Sequence, residues 1–338
     1  MRRALELAQG GRGFVSPNPM VGAVIVDRAG RIIGEGYHRR FGGPHAEVNA
    51  VNSVADKQLL RDATIYVTLE PCSHYGKTPP CAKLLVDCGF RRVVVGCGDP
   101  NEKVSGRGIK MLREAGIKVK TGVLEEECRA LNKTFMKAQT RHLPYVLLKW
   151  AMSADGYTDC DRSAGQPAPR FSTPLSSVAV HQLRAEYDAI MVGSQTVIND
   201  NPRLDTRLVD GRSPIKVVID RRGRVPADAL LFNDGAPVLY FGPQRELPER
   251  VTVIPADSDT NMLAVLQELY RLGISSVMVE GGNELRGSFI GEGLFDEARV
   301  EINPRITLGD RGCCRAAVPI GTLSESEIDG NIIINVKE

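Results

Sequence analysis

Thr64-Ile65-Tyr66-Val67-Thr68-Leu69-Glu70-Pro71-Cys72, with Pro44-His45-Ala46-Glu47 before it and Cys81 after it, is the stretch on which the reading of this chain turns. TIYVTL (64–69) is an apolar, β-branched run that predicts a buried strand, and it leads directly into Glu70-Pro71-Cys72. Pro44 precedes a helix predicted over His45–Val54. Pro79–Cys88 predicts a second helix, entered at Pro80-Cys81. His45 then starts one helix, and Cys72 and Cys81 lie at or just before the start of another. Positive helix N-termini favour thiolate over thiol, the form that binds metal. One imidazole and two thiolates suit Zn2+, and three protein ligands leave a fourth position for water.

Glu47 stands two residues from His45 and is not needed as a ligand. It is free to carry protons between that water and a substrate. H-x-E followed by Pro-Cys and Cys is the pattern of zinc deaminases that act on nucleobase-like rings. In that chemistry activated water attacks an amidine-like carbon, and Glu47 passes the proton to the ring nitrogen and the leaving ammonia. The two cysteines are separated by eight residues, Ser73 to Pro80, in place of the usual two. His74 lies in that insert, so a closed structural site with His74 as fourth ligand is a second reading. Ser16-Pro17-Asn18-Pro19 is a stiff loop, in which Asn18 either meets a pyrimidine edge or makes a plain Asn-Pro turn. His38, His74 and Lys77 are polar groups on loops around the same place. Lys77 is open to two readings, a phosphate partner or a solvated lysine.

The surrounding pattern alternates strand and helix. Val21–Asp27 and Arg31–Tyr37 pair across Arg28-Ala29-Gly30. Arg92–Gly96 and Ile117–Thr121 are strands around a helix over Gly106–Ala115, and one helix is predicted over Glu125–Lys137. This is a three-layer α/β pattern. Arg141-His142-Leu143-Pro144 reads as a junction, dividing the chain into 1–142 and 143–338. A second alternating series follows, with strands at Tyr145–Trp150, Ala189–Val192, Ile215–Asp220, Val238–Phe241, Val251–Ile254, Ser276–Glu280, Ala298–Ile302 and Ile332–Val336. Its helices are Pro174–Glu186, Asn261–Leu272 and one starting at Asn283. The Pro/Gly/Ser-rich stretch 159–171 reads as a loop. No G-x-G-x-x-G follows a strand, so the usual dinucleotide fingerprint is absent. Gly281-Gly282 is a tight turn into a helix, read either as a phosphate cradle or as a plain connection.

A chain of 338 residues has room for two domains. A net charge of +2 gives no broad cationic field, which argues against a zinc-stabilised nucleic-acid-binding protein. No apolar run approaches the ~20 residues of a membrane span. The opening residues are too polar for a signal peptide, and with two cysteines in a metal pattern this predicts a reducing cytoplasm. Cys313-Cys314 read as buried small apolar residues. An apolar sheet edge or face in the second half predicts a homo-oligomer formed through it.

Ser16-Pro17-Asn18-Pro19-Met20-Val21-Gly22-Ala23, His45-Ala46-Glu47 and Glu70 to Cys81 closely resemble the deaminase domain of the bifunctional riboflavin-biosynthesis deaminase/reductases. Leu148 to Gly156, Gly193 to Leu204, Val217 to Asp220 and Glu280-Gly281-Gly282 resemble the reductase domain of the same family. The resemblance implies a cytidine-deaminase-like three-layer α/β/α domain and a dihydrofolate-reductase-like α/β domain that uses NADPH. It implies a diaminopyrimidinone carrying a ribosylamino 5′-phosphate, contacted by Asn18, His38, His74 and Lys77. It implies that Ala154, Thr196, Asp200 and the turn Gly282, Asn283, Glu284, Leu285, Arg286, Gly287 and Ser288 meet the cofactor. Arg184, Leu204, Arg207 and Glu280 are implied to meet the substrate, where arginine forks match phosphate oxygens. Asp200 is implied to orient or protonate the sugar, against a turn role before Asn201-Pro202. Hydride from NADPH to the ring-opened sugar then yields a ribityl chain.

Three positions depart from the family pattern. Ala168 and Arg170 stand where serine and tryptophan are usual, and Arg221 stands where serine or threonine follows Asp220. The Arg221-Arg222 pair remains open to serving a 2′-phosphate. These departures support an alternative in which the second half only binds or dimerises.

Overall fold

In the computed structural model the described residues are all but 76–78, 102–104, 163–165, 318, 320 and 338. The chain forms two compact units, Met1–His142 and Leu143–Glu338.

The first unit runs α1 (Arg2–Ala8), β1 (Gly22–Val26), β2 (Ile32–Tyr37), α2 (Ala46–Ser53), β3 (Thr64–Leu69), α3 (Cys81–Asp87), β4 (Arg92–Cys97), α4 (Arg107–Glu114), β5 (Lys118–Lys120), α5 (Glu125–Leu131) and α6 (Lys133–Arg141). Its sheet has the order β2-β1-β3-β4-β5, with β1 antiparallel to β2 and β3, and β3, β4 and β5 parallel. Ile25, Ile65, Val67 and Val93 pack against Ala50, Leu85 and Leu112 from α2, α3 and α4. At the carboxyl ends of β3 and β4, Leu69 and Cys97 pack against Cys128 and Phe135 from α5 and α6, and a Cβ on Gly96, which points away from the α2 side, would lie 2.3 Å from Cys128 Sγ. Helices therefore cover both faces of the sheet. Gly36 makes the α2 side possible, because a Cβ there would lie 2.3 Å from the Ala50 backbone nitrogen.

The second unit runs β6 (Tyr145–Ser153), α7 (Pro174–Glu186), β7 (Ala189–Gly193), α8 (Ser194–Asp200), β8 (Ile215–Ile219), β9 (Val238–Gly242), β10 (Val251–Pro255), α9 (Met262–Arg271), β11 (Ser276–Val279), α10 (Asn283–Gly291), β12 (Glu297–Asn303), β13 (Thr322–Ile328) and β14 (Asn331–Lys337). The nine strands lie in the order β10-β9-β8-β7-β11-β6-β12-β14-β13. The strands from β10 to β12 are parallel, and β14 and β13 close the edge as an antiparallel pair. On one face Val146, Leu148 and Met191 meet α9 and α10 through Leu266, Leu269 and Phe289. On the other, Leu147, Ile190 and Val218 meet Val197 of α8, Leu204 and Leu231. Open parallel sheets bind ligands outside the carboxyl ends of their strands. Here those ends lead into Ser194, Asp220 and Glu280.

Three elements depart from the expectations above. The helix predicted over Glu125–Lys137 is two helices broken at Asn132, whose backbone leaves helical angles while its carboxamide bonds the backbone of Met20. Strand β13 was not expected: six of its seven residues are exposed at the sheet edge, so TLSESEI carries no burial period. Asp200 does not stand in a turn but is the last residue of α8, a helix not expected from GSQTVIND.

Candidate active sites

In the first unit, His45 is the N-cap of α2, Pro80 the N-cap of α3, and Cys81 the first residue of that helix. The Nδ1 atom of His45 lies 3.6 Å from Cys72 Sγ and 3.3 Å from Cys81 Sγ. The Cys81 N–H donates to Cys72 Sγ at 3.2 Å. All three donor atoms lie within 4.8 Å of one another, one imidazole with two sulfurs, the donor set of an open zinc site. Hydrogen bonding with Cys81, and with the His45 ring, holds the Cys72 thiol well below the usual thiol range. His74 is exposed and is not part of the cluster. Lys77 lies outside the described residues.

Glu47 lies in the first turn of α2 and is only 3% exposed. Burial, and next the Cys72 charge, push its carboxyl up to about 7. A group near neutrality is suited to taking and returning one proton. His38 is also buried, and burial pushes its pKa down, so the ring is neutral. Its Nδ1 lies 3.0 Å from the Pro44 carbonyl and its Nε2 lies 3.2 Å from Asn18 Nδ2. In the neutral ring Nδ1 donates to the carbonyl and Nε2 accepts from the amide, which leaves the Asn18 carboxamide oxygen as that group's acceptor. The His38 and His45 rings meet edge-on, 5.6 Å between centroids. His38 thus orients Asn18 and braces the residue before His45.

Four supporting residues were missed by sequence reasoning. Glu70 is buried and accepts the N–H groups of Gly106 and Gly108 at 3.0 Å and of Ile109 at 3.2 Å, which fixes the start of α4 to the strand that carries Cys72. A Cβ on Gly108 would lie 2.0 Å from the Pro71 carbonyl oxygen, so only glycine lets α4 approach there. Asp99 stands close enough to feel Glu70 and Cys72, and burial first, then those charges, push it up to about 6. Asn132 accepts from Met20 N–H at 2.7 Å and donates to Met20 carbonyl at 2.9 Å, pinning the loop that presents Asn18. The E-P-C run was the one available signal for Glu70; nothing near Asn132 in sequence points to Met20.

In the second unit two clefts meet. One, of about 480 Å3, is lined by Lys149, Trp150, Asp159, Asp200, Glu280 and Arg286, among others. The other, of about 290 Å3, is lined by Ser194, Arg221, Arg222, Arg224, Leu285 and Ser288, among others. Gln195, Thr196, Gly282 and Glu284 line both. The Gly282 N–H donates to Thr196 Oγ1 at 3.1 Å, so this turn is tied to α8. Asn283 also lines the larger cleft and takes a hydrogen bond from Arg286. Arg286 is buried over the Trp150 ring, 4.6 Å to its centroid, and burial pushes its pKa down to about 10.

Arg184 and Glu280 form a fork, with bonds of 2.7 and 3.1 Å. Burial pushes the Glu280 carboxyl up, but the Arg184 and Lys149 charges outweigh it and hold it at about 2. Asp200 pairs with Arg162, which also binds Asp159. Arg207 pairs with Asp205, and its N–H donates to His181 Nδ1 at 3.1 Å. Leu204 is buried in the core at a φ of +56°, so any ligand contact there falls to its backbone. Ala154 is bonded through its N–H to the Ile306 carbonyl at 2.8 Å and, with Gly287, lines neither cleft. Ala168 and Arg170 are exposed. Lys149, Thr158, Asp159 and Asn199 line the larger cleft and were given no role by sequence reading.

Two family models match. "RibD C-terminal domain" covers residues 144–319, and "Cytidine and deoxycytidylate deaminase zinc-binding region" covers residues 1–97. The riboflavin biosynthesis protein RibD of Actinobacillus pleuropneumoniae is 39% identical over 353 residues, spanning 100% of this chain and 90% of that protein. That of Escherichia coli (strain K12) is 39% identical, spanning 93% and 89%. The chain belongs to the RibD family. The solved Thermotoga maritima diaminohydroxyphosphoribosylaminopyrimidine deaminase/5-amino-6-(5-phosphoribosylamino)uracil reductase superposes with a TM-score of 0.89 at 37% identity, covering 100% of this chain and 97% of that one. Acinetobacter baumannii RibD gives 0.90 at 35%, covering 99% and 97%. Like the RibD family, this chain is a bifunctional deaminase/reductase of riboflavin biosynthesis. Its first unit is a cytidine-deaminase-like zinc domain, and its second a dihydrofolate-reductase-like domain that uses NADPH. The residues present fit both groups: a His/Cys/Cys donor set for zinc, and a basic cleft for NADPH in which Arg221 Nε is buried without a partner.

Proposed function

We propose that the chain converts 2,5-diamino-6-ribosylamino-4(3H)-pyrimidinone 5′-phosphate to 5-amino-6-ribitylaminouracil 5′-phosphate, deaminating the ring first and reducing the sugar second. The observation that carries this reading is the buried Glu47 beside three convergent metal donors, in one chain with the double cleft of the second unit.

His45, Cys72 and Cys81 would hold zinc, which makes water nucleophilic at neutral pH. Glu47 accepts the two protons of the attacking water in turn and returns one to the ring nitrogen and the other to the departing ammonia. Water adds, ammonia leaves, and the amine-bearing carbon becomes a carbonyl. Asn18, braced by His38, holds the pyrimidine edge; His74 and Lys77 are assigned to the ribose phosphate side. In the second unit NADPH supplies a hydride to the ring-opened sugar carbon. Thr196 and the turn from Gly282 to Ser288 hold the cofactor, with Ala154 at the margin of that site. Glu280, ionised by Arg184, fixes the pyrimidine, Arg207 takes the phosphate, and the backbone at Leu204 closes that side. Asp200 orients the sugar as its carboxylate is released from Arg162.

Among the described residues no helix is long and apolar enough to cross a membrane. Self-association through the second unit and a cytoplasmic location belong to the same proposal. Support comes from the exposed Leu323 on edge strand β13 and from eight free cysteines. Light scattering of the purified protein tests the first.

The function is tested by NADPH absorbance with zinc-loaded protein and the diaminopyrimidinone, comparing wild type with Glu47→Ala. Consumption in wild type, its absence in the variant, and rescue by the deaminated uracil compound support the order proposed. No consumption by wild type with either compound would sink the reductase half.

A further inference from the structure

Residues 157–161 run antiparallel to residues 311–315, and Thr158, Asp159 and Cys314 of this ribbon line the larger cleft. Thr158 N–H donates to the Cys314 carbonyl at 2.8 Å, Cys313 N–H to the Asp159 carbonyl at 3.1 Å and Asp161 N–H to the Arg311 carbonyl at 2.8 Å. The Asp159 carboxylate also accepts the Cys160 N–H at 2.9 Å, so its side chain is fixed to the ribbon. Arg162 follows, with a side chain only 10% exposed. Its Nε and Nη2 form a fork on Asp159, at 3.1 Å each. Its Nη1 donates to the Gln166 carbonyl at 3.0 Å, and its Nη2 also reaches one oxygen of Asp200. The other oxygen of Asp200 has no hydrogen-bond partner among the described residues. One cation, itself not lining the cleft, therefore serves two carboxylates that do.

We infer that Asp159 and Arg162 are positioning residues of the reduction: Arg162 steadies Asp200, and Asp159 keeps the guanidinium when Asp200 turns to a hydroxyl of the sugar. The inference rests on the assignment of Asp200 to the sugar above. A guanidinium held by a fork on one carboxylate and a single bond on the other gives way first at the single bond, which is Asp200. Asp200 is also the more exposed of the two, 35% against 24%. At rest it needs a cation, because it is the last residue of α8, where the helix dipole disfavours a carboxylate. In use it must let that cation go, and a largely buried guanidinium without any carboxylate would be an uncompensated charge. Asp159 removes that penalty, so Asp200 exchanges one charge-assisted hydrogen bond for another. Without the Asp159 charge, Arg162 has Asp200 alone, and the group that steadies the carboxylate withholds it from the sugar.

The test is NADPH consumption by the full-length protein with the already deaminated uracil compound, which bypasses the first site. Asp159→Asn is expected to lower kcat/KM for that compound about 10-fold, the worth of one charge-assisted hydrogen bond withheld from the sugar. Adding Arg162→Gln to that variant frees Asp200 and is expected to recover part of the loss. Recovery by a second deletion is a sign that a merely structural network does not give, since there each lost group leaves its partners less satisfied. Asp159→Asn at the wild-type rate overturns the inference. So does a double variant no faster than Asp159→Asn, whether its loss lies in the chemistry or in the fold. Asp200→Asn at the wild-type rate overturns the role of Asp200, and this inference with it, but leaves the reductase reading standing. A wild type that consumes no NADPH with this compound overturns the reductase reading itself.

Discussion

The two sites of this molecule are built in opposite ways. In the first unit the candidate metal donors come from two helix starts and the loop before one of them, between His45 and Cys81. In the second, the groups that line the larger cleft come from as far apart as Lys149 and Cys314. The charges also differ in state. His45, Cys72 and Cys81 converge on one point, whereas Arg184 holds Glu280, Arg162 holds Asp200 and Arg207 holds Asp205. A bare cation needs donor atoms within a few ångströms, which short local motifs supply. A long, polyanionic cofactor needs separated contacts, which only the ends of several strands supply.

The contrast breaks most sharply at Glu47. Glu47→Gln keeps the shape but removes the titrating group, and general acid–base catalysis contributes up to about 10⁴-fold. Deamination is expected to fall by about 10³-fold, while NADPH consumption with the already deaminated uracil compound stays at the wild-type rate. Steady-state ammonia release and NADPH absorbance measure the two separately. Equal losses in both would show that the sites are not independent.

Arg184→Ala probes the internal pairs of the second unit. It leaves Glu280 buried without its fork, and breaking such a pair costs about 3–5 kcal/mol. Urea unfolding of the variant is expected to show that loss in the transition of the second unit, with the deaminase rate unchanged. A loss under 1 kcal/mol would mean that Lys149, the other cation acting on Glu280, already suffices.

The same pair fixes an acid dependence. Glu280 is held at about 2 in the folded chain, below its ordinary 4.5, so the folded state binds that proton less readily than the unfolded one. Its stabilisation is complete above about pH 4.5 and lost as pH falls toward 2, about 3 kcal/mol in all. Urea midpoints of wild type and Glu280→Gln are expected to converge as pH falls through that window. Parallel curves would remove Glu280 from the acid response.

Much of this molecule was legible in its sequence, for identifiable reasons. The strand TIYVTL, the His45 and Cys81 helix starts and the position of Glu47 all rest on local chemistry: β-branched runs, prolines at helix entry and donor spacing. Glu47, the proposed catalytic carboxylate of the first unit, stands in the same motif as His45, a proposed metal ligand. What was not legible depends on partners far along the chain. Asn132 meets Met20 across 112 positions, Glu70 meets Gly106 across 36, and Arg184 meets Glu280 across 96. Strand β13 escaped because its exposed edge imposes no hydrophobic period, and α8 because GSQTVIND places a turn-forming Asn-Asp at a helix end. The Gly281-Gly282 turn read correctly as a strand-to-helix connection, but its N–H at Gly282 is already taken by Thr196, which no local pattern could indicate.

The smallest expected effect bears on whether the first site is as local as its motif. Asn132 sits 1% exposed at the break between α5 and α6 and satisfies both backbone groups of Met20. Asn132→Leu leaves a part-buried N–H and a part-buried carbonyl of Met20 without partners, and such groups cost about 1 kcal/mol each. Part of that is relieved if the loop from Ser16 to Met20 swings toward water, at the expense of the position of Asn18. The variant is therefore expected to lose about 2 kcal/mol in the unfolding of the first unit and to show a KM for the diaminopyrimidinone raised about 10-fold. Its kcat and its zinc content by elemental analysis are expected to stay near wild type, because His45, Cys72, Cys81 and Glu47 lie on other elements. A raised KM with intact zinc would show that binding in this unit depends on a distant helix break even though its chemistry does not. Zinc loss in the same variant would show that the donor triad itself leans on the loop, and that the first site is no more local than the second.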